Sequence, residues 1–216
     1  MPSATLEEYL EVIYKLSLEG AVRPAQLAEA LQVSAPTVTS TMRRLEAAGL
    51  VTRPGLGVEL TETGRREALA IVRRHRIAER FLVDALGLPW DVAHDEACRL
   101  EHALSERVLT ALEVFLENPE VCPHGHPIPS SELDIAPSEG LPLAAMPAGS
   151  RALVLSVPEE DDEVLSYFGE IEMRPGVSVF VEQTAPLGGP LLLLVGDRHV
   201  PVDRAVATRI LVRPEF

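Results

Sequence analysis

Residues 24–49 read PAQLAEALQVSAPTVTSTMRRLEAAG, and the fold turns on how this stretch is parsed. Pro24 suits the first turn of a short helix over Pro24–Leu31, with Leu27, Ala28 and Leu31 along one side. Gln32 and Val33 make a tight turn. Ser34 then caps a second helix over Ala35–Ala48, and Gly49 stops it. At about 100° per residue, Val38, Met42 and Leu45 share one face, while Ser40, Arg43 and Arg44 point away, flanked by Thr37 and Thr39. The run Thr37–Thr41 is poor helix material, so packing or ligand contact must justify it. The next segment, LVTRPGLGVEL over Leu50–Leu60, reads as a hairpin turning at Pro54-Gly55. Two short helices, a tight turn and a hairpin make a winged helix-turn-helix. Its outward face of hydroxyls and arginines suits base edges and phosphates better than an ordinary polar surface would require.

Outward from that unit, Thr5–Leu18 keeps a helical period, and Thr63–Leu86, Asp91–Ala103 and Ser105–Leu116 read as further helices. Residues 118–147 are proline-rich and aperiodic. Residues 151–213 hold the β-prone runs RALVLSV, VSVFVE, LLLLV, HVPV and ATRILV, separated by glycine turns, which suggests a small barrel. No internal repeat is evident. The expected fold is mainly α with a C-terminal β module. Its parts are a winged-helix domain (1–66), a helical domain (67–136), a linker (137–149) and a small barrel (150–216).

The chain has 216 residues, 46% hydrophobic and 24% charged, enough apolar material for globular cores. No apolar run reaches the roughly 20 residues of a membrane-spanning helix, and the N-terminus lacks the early basic residues of a signal peptide. The expected location is cytoplasmic, without a membrane partner. Two cysteines cannot form a disulfide scaffold. The net charge of −14 argues at first against nucleic acid, but it is unevenly spread. Residues 1–66 carry 8 acids and 7 bases, whereas 67–150 carry 14 and 6, and 151–216 carry 11 and 6. A near-neutral first third can engage phosphates through a local arginine patch.

The helix after Pro89 carries His94, Cys98, Glu101 and His102 at i, i+4, i+7 and i+8, on one face. The first helix adds Glu8 and Glu11, and the long helix adds His75 and Glu79. Each pair could chelate an ion from one side, and imidazole, carboxylate and thiolate together suit a transition metal rather than calcium or magnesium. Taken singly, such pairs are usually solvated surface contacts, and a lone cysteine is usually a core residue. Their coincidence beside a helix-turn-helix is the informative feature. Cys122, His124 and His126 in CPHGHPIP form another potential ligand set.

With HRIAERFL (75–82), HDEACRLEH (94–102) and HPIP, these residues resemble the diphtheria-toxin-repressor family of iron- and manganese-dependent transcriptional regulators. The resemblance spans nearly the whole chain. It implies a winged-helix DNA-binding domain, a helical dimerisation and metal domain, and an SH3-like barrel. It further implies a primary metal site of Glu8, Glu11, Cys98, Glu101 and His102. An ancillary site would comprise His75, Glu79 and His94, with Asp161 of the acidic run Glu159–Glu163 added from the barrel. Val164 stands where the family's glutamine would be. Ser34, Pro36 and Ser40 match base-edge positions; Thr5, Thr37, Thr39 and Arg44 match phosphate positions, with Arg43 beside them. Ser40 replaces a glutamine of the iron-responsive type, so operator sequence does not transfer. By the resemblance, Cys122, His124 and His126 lie outside the regulatory site.

The primary set is a hybrid. The iron-responsive type shares Cys98 but has methionine at the Glu8 position; the manganese-responsive type shares Glu8 and Glu11 but has a carboxylate at the Cys98 position. The oxygen ligands favour Mn(II), and the thiolate favours Fe(II) or Zn(II). The expectation is a homodimeric, Mn(II)-activated repressor on a palindromic duplex, with up to two ions per subunit and Fe(II) as the alternative. It is not an enzyme and has no small organic substrate. Three rivals differ in class. They are a winged-helix regulator sensing an organic ligand, a metal store without need of a reading helix, and a metallohydrolase, for which no HExxH motif occurs.

Overall fold

The computed structural model describes residues 3–137, 139–159 and 162–215. The chain divides into two compact units. One comprises residues 1–75, 99–109 and 129–135; the other comprises residues 76–98, 110–128 and 136–216. Among the described residues no helix is long and apolar enough to cross a membrane.

The first unit begins with α1 (Ala4–Glu19), α2 (Pro24–Ala30) and α3 (Ala35–Ala47), followed by the hairpin strands β1 (Val51–Thr52) and β2 (Glu59–Leu60). Proline opens α2 in its first turn. The Ser34 hydroxyl caps α3 by accepting from the Thr37 amide at 3.4 Å. Gly49, at φ 71°, takes the left-handed turn that ends it. The strands pair antiparallel, Val51 with Leu60 and Thr52 with Glu59. Their core joins Tyr9, Leu10 and Ile13 of α1 to Val38, Met42 and Leu45 of α3, with Leu69, Ile71 and Val72 from the start of α4 (Glu62–Arg80). Thr41 is buried as well, so one of the hydroxyls in the unfavourable α3 run faces the core.

The division between the units falls within α4, after His75. Past Arg80 the helix loosens into a π-turn over Phe81–Ala85, short of the Leu86 end expected from sequence. α5 (Trp90–Leu100) continues as a 3₁₀ turn over Glu101–Ala103, and α6 (Glu106–Phe115) follows.

The C-terminal module is an SH3-like antiparallel sheet built from β3 (Leu141–Pro142), β4 (Ser150–Ser156), β5 (Ser178–Thr184), β6 (Leu191–Val195), β7 (Arg198–Val202) and β8 (Leu211–Glu215). The strand order is β3-β8-β4-β5-β6-β7. Register shifts after Val154 and after Val181 add curvature. Alternating residues point inward, among them Ala152 and Val154, Val179 and Val181, and Leu191, Leu193 and Val195. Two expectations are corrected here, and one element is added. The supposed linker over 137–149 contributes β3 and the fully buried Leu143. The ATR half of ATRILV belongs to α8 (Arg204–Arg209), because Asp203 caps that helix by accepting from the Ala205 amide at 2.8 Å. Between β4 and β5 the chain forms α7 (Asp162–Glu170), which buries Leu165 and Phe168 in the module's core.

Candidate metal centre and nucleic-acid interface

On α3, Thr37, Thr39, Ser40, Arg43 and Arg44 are all exposed, as are Ser34 and Pro36 at its start and Thr5 on α1. Ser34 and Thr37 share a hydroxyl–hydroxyl bond of 2.8 Å, and the Thr39 hydroxyl donates to the Ala35 carbonyl at 3.0 Å. The face opposite is the apolar row Val38, Met42, Leu45. The helix is thus held from one side and presents short hydroxyls and two guanidinium groups on the other.

In the first unit, α1 meets the Glu101–Ala103 turn and α4 through charged side chains. Glu11, His75 and Glu101 are buried, with one ligand atom from each lying within 4.8 Å of the others. His75 Nδ1 is 2.7 Å from Glu101 Oε2, and His102 Nε2 is 3.2 Å from Glu101 Oε1. The other imidazole nitrogen of His102 is 2.8 Å from Glu7 Oε2, and Glu7 also pairs with Arg74 at 3.3 Å. Glu11 pairs with Lys15 at 3.1 Å. Burial pushes the Glu101 carboxyl above its ordinary range; the His75 bond opposes this and the nearby Glu11 charge adds to it.

Of the expected primary set, Glu11, Glu101 and His102 therefore gather in the first unit. Glu8 is exposed, and its neighbour Glu7 is the residue against His102. Cys98 is exposed on α5, in the second unit, 4.0 Å from His94 Nε2.

Within the expected ancillary set, His75 hydrogen-bonds Glu101, and Glu79 keeps His94, Nδ1 to Oε1 at 3.0 Å. Around Glu79 the second unit builds a fully buried cluster of Glu79, Cys122, His124 and Glu159, again with ligand atoms within 4.8 Å. His124 Nδ1 lies 3.4 Å from Glu79 Oε1, and Cys122 Sγ lies 3.8 Å from Glu159 Oε2. Burial, then the Glu79 and Glu159 charges, push the Cys122 thiol well above its ordinary range. Glu159 is flanked by Arg76 at 3.5 Å and His126 at 3.6 Å. Asp161, expected from the acidic run, lies outside the described residues; among the described residues, Glu159 at the head of the same run reaches the cluster.

Both clusters fit a divalent transition cation. One offers carboxylates and imidazoles, the other two carboxylates, an imidazole and a thiol. In the second, His124 Nδ1 is a buried ring nitrogen with no hydrogen-bond partner among the described residues, as a ligand nitrogen would be. Sequence reasoning missed Glu7, Glu159, and the union of Cys122 and His124 with Glu79. The CPHG spacing and the acidic run after VLSVP were the available signals.

A winged helix with an exposed hydroxyl and guanidinium face, in a chain with buried clusters of transition-metal ligands, defines a metal-dependent DNA-binding regulator. Comparison with known proteins agrees along nearly the whole chain. Residues 1–55 match the iron dependent repressor N-terminal DNA binding domain, 61–130 the iron dependent repressor metal binding and dimerisation domain, and 141–214 the FeoA domain. The iron-dependent repressor IdeR of Mycobacterium tuberculosis is 40% identical over 223 residues, covering 96% of each chain. The diphtheria toxin repressor of Corynebacterium diphtheriae is 43% identical over 153 residues, covering 69% of this chain and 65% of that one. A solved structure described as a manganese-dependent transcriptional repressor in complex with manganese is 34% identical. It superposes with a TM-score of 0.89 over 97% of this chain and all of that one. The chain belongs to the diphtheria-toxin-repressor family of metal-dependent, dimerising transcriptional repressors.

Proposed function

We propose that this protein is a cytoplasmic, Mn(II)-activated repressor of metal-homeostasis genes that binds a palindromic operator as a homodimer, with two metal ions per subunit. Residues 1–66 would read the operator and 67–136 would dimerise and sense metal. The observation that carries the choice of metal is the set around Glu101. Its ligands, Glu11, His75, Glu101 and His102, are oxygen and nitrogen donors without sulfur. Such donors suit Mn(II), whereas thiolates select softer ions. Glu7 or Glu8 of α1 is proposed to complete this set. Glu79, Cys122, His124 and Glu159 would hold the second ion, with His94 bonded to Glu79. A second reading, Fe(II) activation, is favoured by the Cys122 thiol within that set and by the iron-dependent names of the relatives.

Glu11 and Glu101 would help hold a divalent cation, whose positive charge would offset theirs. The chain's residues determine what that charge achieves. Glu11 lies on α1, and the apolar face of α1, Tyr9, Leu10 and Ile13, packs in one core with Val38, Met42 and Leu45 of α3. Repulsion between Glu11 and Glu101 would drive α1 from its seat, and α3 would follow. Neutralised, the same pair holds α1 and presents Ser34, Pro36 and Ser40 to base edges, and Thr5, Thr37, Thr39, Arg43 and Arg44 to phosphates.

The test is duplex binding from a random pool after chelation, with Mn(II), anaerobic Fe(II) and Zn(II) restored separately. Restoration at the lowest free concentration by Mn(II) supports the proposal. Restoration first by Fe(II) moves it to the second reading. Binding indifferent to all three ions would overturn both.

A further inference from the structure

The single tryptophan of the chain, Trp90, opens α5 and is buried in the core of the C-terminal module rather than at a surface. Its surroundings are specific. The His124 imidazole lies against the indole, with ring centroids 5.1 Å apart and planes inclined by 35°. The Arg174 guanidinium lies 5.3 Å from the indole centroid. Gly169 of α7 approaches so closely that a Cβ there would stand 2.8 Å from the indole nitrogen. The Trp90 carbonyl accepts a hydrogen bond from His124 Nε2 at 3.1 Å.

A backbone carbonyl can only accept, so the His124 proton must sit on Nε2. That leaves the Nδ1 lone pair facing Glu79 Oε1 at 3.4 Å. This is the arrangement a metal-binding histidine needs: one nitrogen tied to an outer acceptor, the other available to the ion. The carbonyl sets the tautomer, and the ring sets the plane. Gly169 and Arg174 bound the indole on the side of α7 and the turn after it, so the indole is pinned by the same module that supplies Glu159.

We propose that Trp90 is the positioning residue of the Glu79–Cys122–His124–Glu159 set, holding the His124 imidazole in its ligating tautomer and orientation. The proposal rests on the reading of that set as a metal site. Its consequence is optical. An ion on His124 Nδ1 changes the imidazole in contact with the only indole, so occupancy of this set, and not of the set around Glu101, alters tryptophan emission.

The experiment titrates Zn(II) and Mn(II), each alone, into the full chain, following bound-metal stoichiometry in wild type, Cys122→Ser, Trp90→Phe, Trp90→Ala and Arg174→Met, and tryptophan emission in the three that keep Trp90. Expected are an emission change that saturates with one of the ions bound and is absent from Cys122→Ser. Trp90→Ala should weaken that ion's affinity by about 10- to 100-fold, as for other residues that orient a metal ligand. Trp90→Phe should restore most of the loss by replacing the ring. Arg174 is exposed, so Arg174→Met tests the clamp in a folded chain even if Trp90→Ala fails to fold; it should lower affinity and shift the starting emission. If Cys122→Ser loses one ion while wild-type emission ignores metal and folded Trp90→Ala or Arg174→Met binds normally, the role of Trp90 is overturned and the site stands. If Cys122→Ser binds as many ions as wild type, the site is not a metal site and the proposal falls with it.

Discussion

Glu7 and Glu8 differ by one step of about 100° around α1, and that step separates their fates. Glu7 is buried between Arg74 and His102, whereas Glu8 is exposed. Glu7→Gln leaves the buried Arg74 without its counter-charge and should cost about 3 kcal/mol of stability in the metal-free chain, as when one partner of a buried pair is removed. Glu8→Gln should stay within about 0.5 kcal/mol. Urea unfolding in EDTA measures both, and equal costs would show that the two side chains share one environment. The same substitutions in Mn(II)-dependent duplex binding identify which carboxylate serves the ion. The two cysteines make a second contrast. Cys98 is exposed, while Cys122 is buried with its thiol held protonated by burial and by Glu79 and Glu159. In the metal-free chain an alkylating reagent should therefore modify Cys98 well before Cys122, as read by mass spectrometry, because the thiolate is the reactive form. Comparable rates would mean that the cluster around Glu79 opens readily.

Among the elements, α3 was legible almost to the residue, because a Ser cap, a Pro in the first turn and a Gly stop bracket a clear apolar face. Its seat depends on a contact that sequence could not reveal. Gly64, in the first turn of α4, lies so close to the residue before β1 that a Cβ would overlap the Leu50 carbonyl oxygen. The Thr61 hydroxyl, which receives the Gly64 amide at 3.0 Å, donates to the Gly49 carbonyl at 2.7 Å and so ties the start of α4 to the end of α3. Helix propensity alone favours alanine over glycine by about 1 kcal/mol. Here Gly64→Ala should instead destabilise by about 1–3 kcal/mol, because backbone must move. Thermal unfolding gives the sign, and a stabilised variant would refute the contact. On the outward face of α3, Arg44→Ala should weaken binding to all duplexes alike and lower the salt slope by about 1. Loss confined to particular sequences would assign Arg44 to base edges. By contrast α7 was missed, although DEVLSYFGE has the acidic start and i, i+1, i+4 apolar spacing of a short helix; the flanking β-prone runs drew attention away from it. The acidic run before it gave the right neighbourhood for a ligand, and Glu159 at its head reaches the cluster, although consecutive acids carry no period that singles one of them out.

At the scale of the molecule, sequence conveyed the order of the modules but not which distant residues would meet. Glu79, Cys122, His124 and Glu159 come from a helix, a proline-rich loop and the loop after β4, and local periodicity has no information about such a union. The net charge is −14, yet residues 1–66 hold only one acid in excess, so duplex affinity must come from a small patch whose placement matters. If the ions act by stabilising the placement of α1 and α3, metal and DNA select the same arrangement and their affinities are linked. Removing metal with EDTA should then weaken duplex binding by a factor of about 5–150, the usual span of such coupling. Linkage demands the converse: a saturating duplex must tighten Mn(II) binding by the same factor. Calorimetry of Mn(II) with and without a duplex selected from the random pool, set beside duplex binding with and without Mn(II), closes the cycle. Glu101→Gln should shrink both factors together, because Glu101 is the buried carboxylate opposite Glu11 across which α1 is held. A duplex that leaves Mn(II) affinity unchanged would mean that the ion supports the fold and does not switch the reading helix.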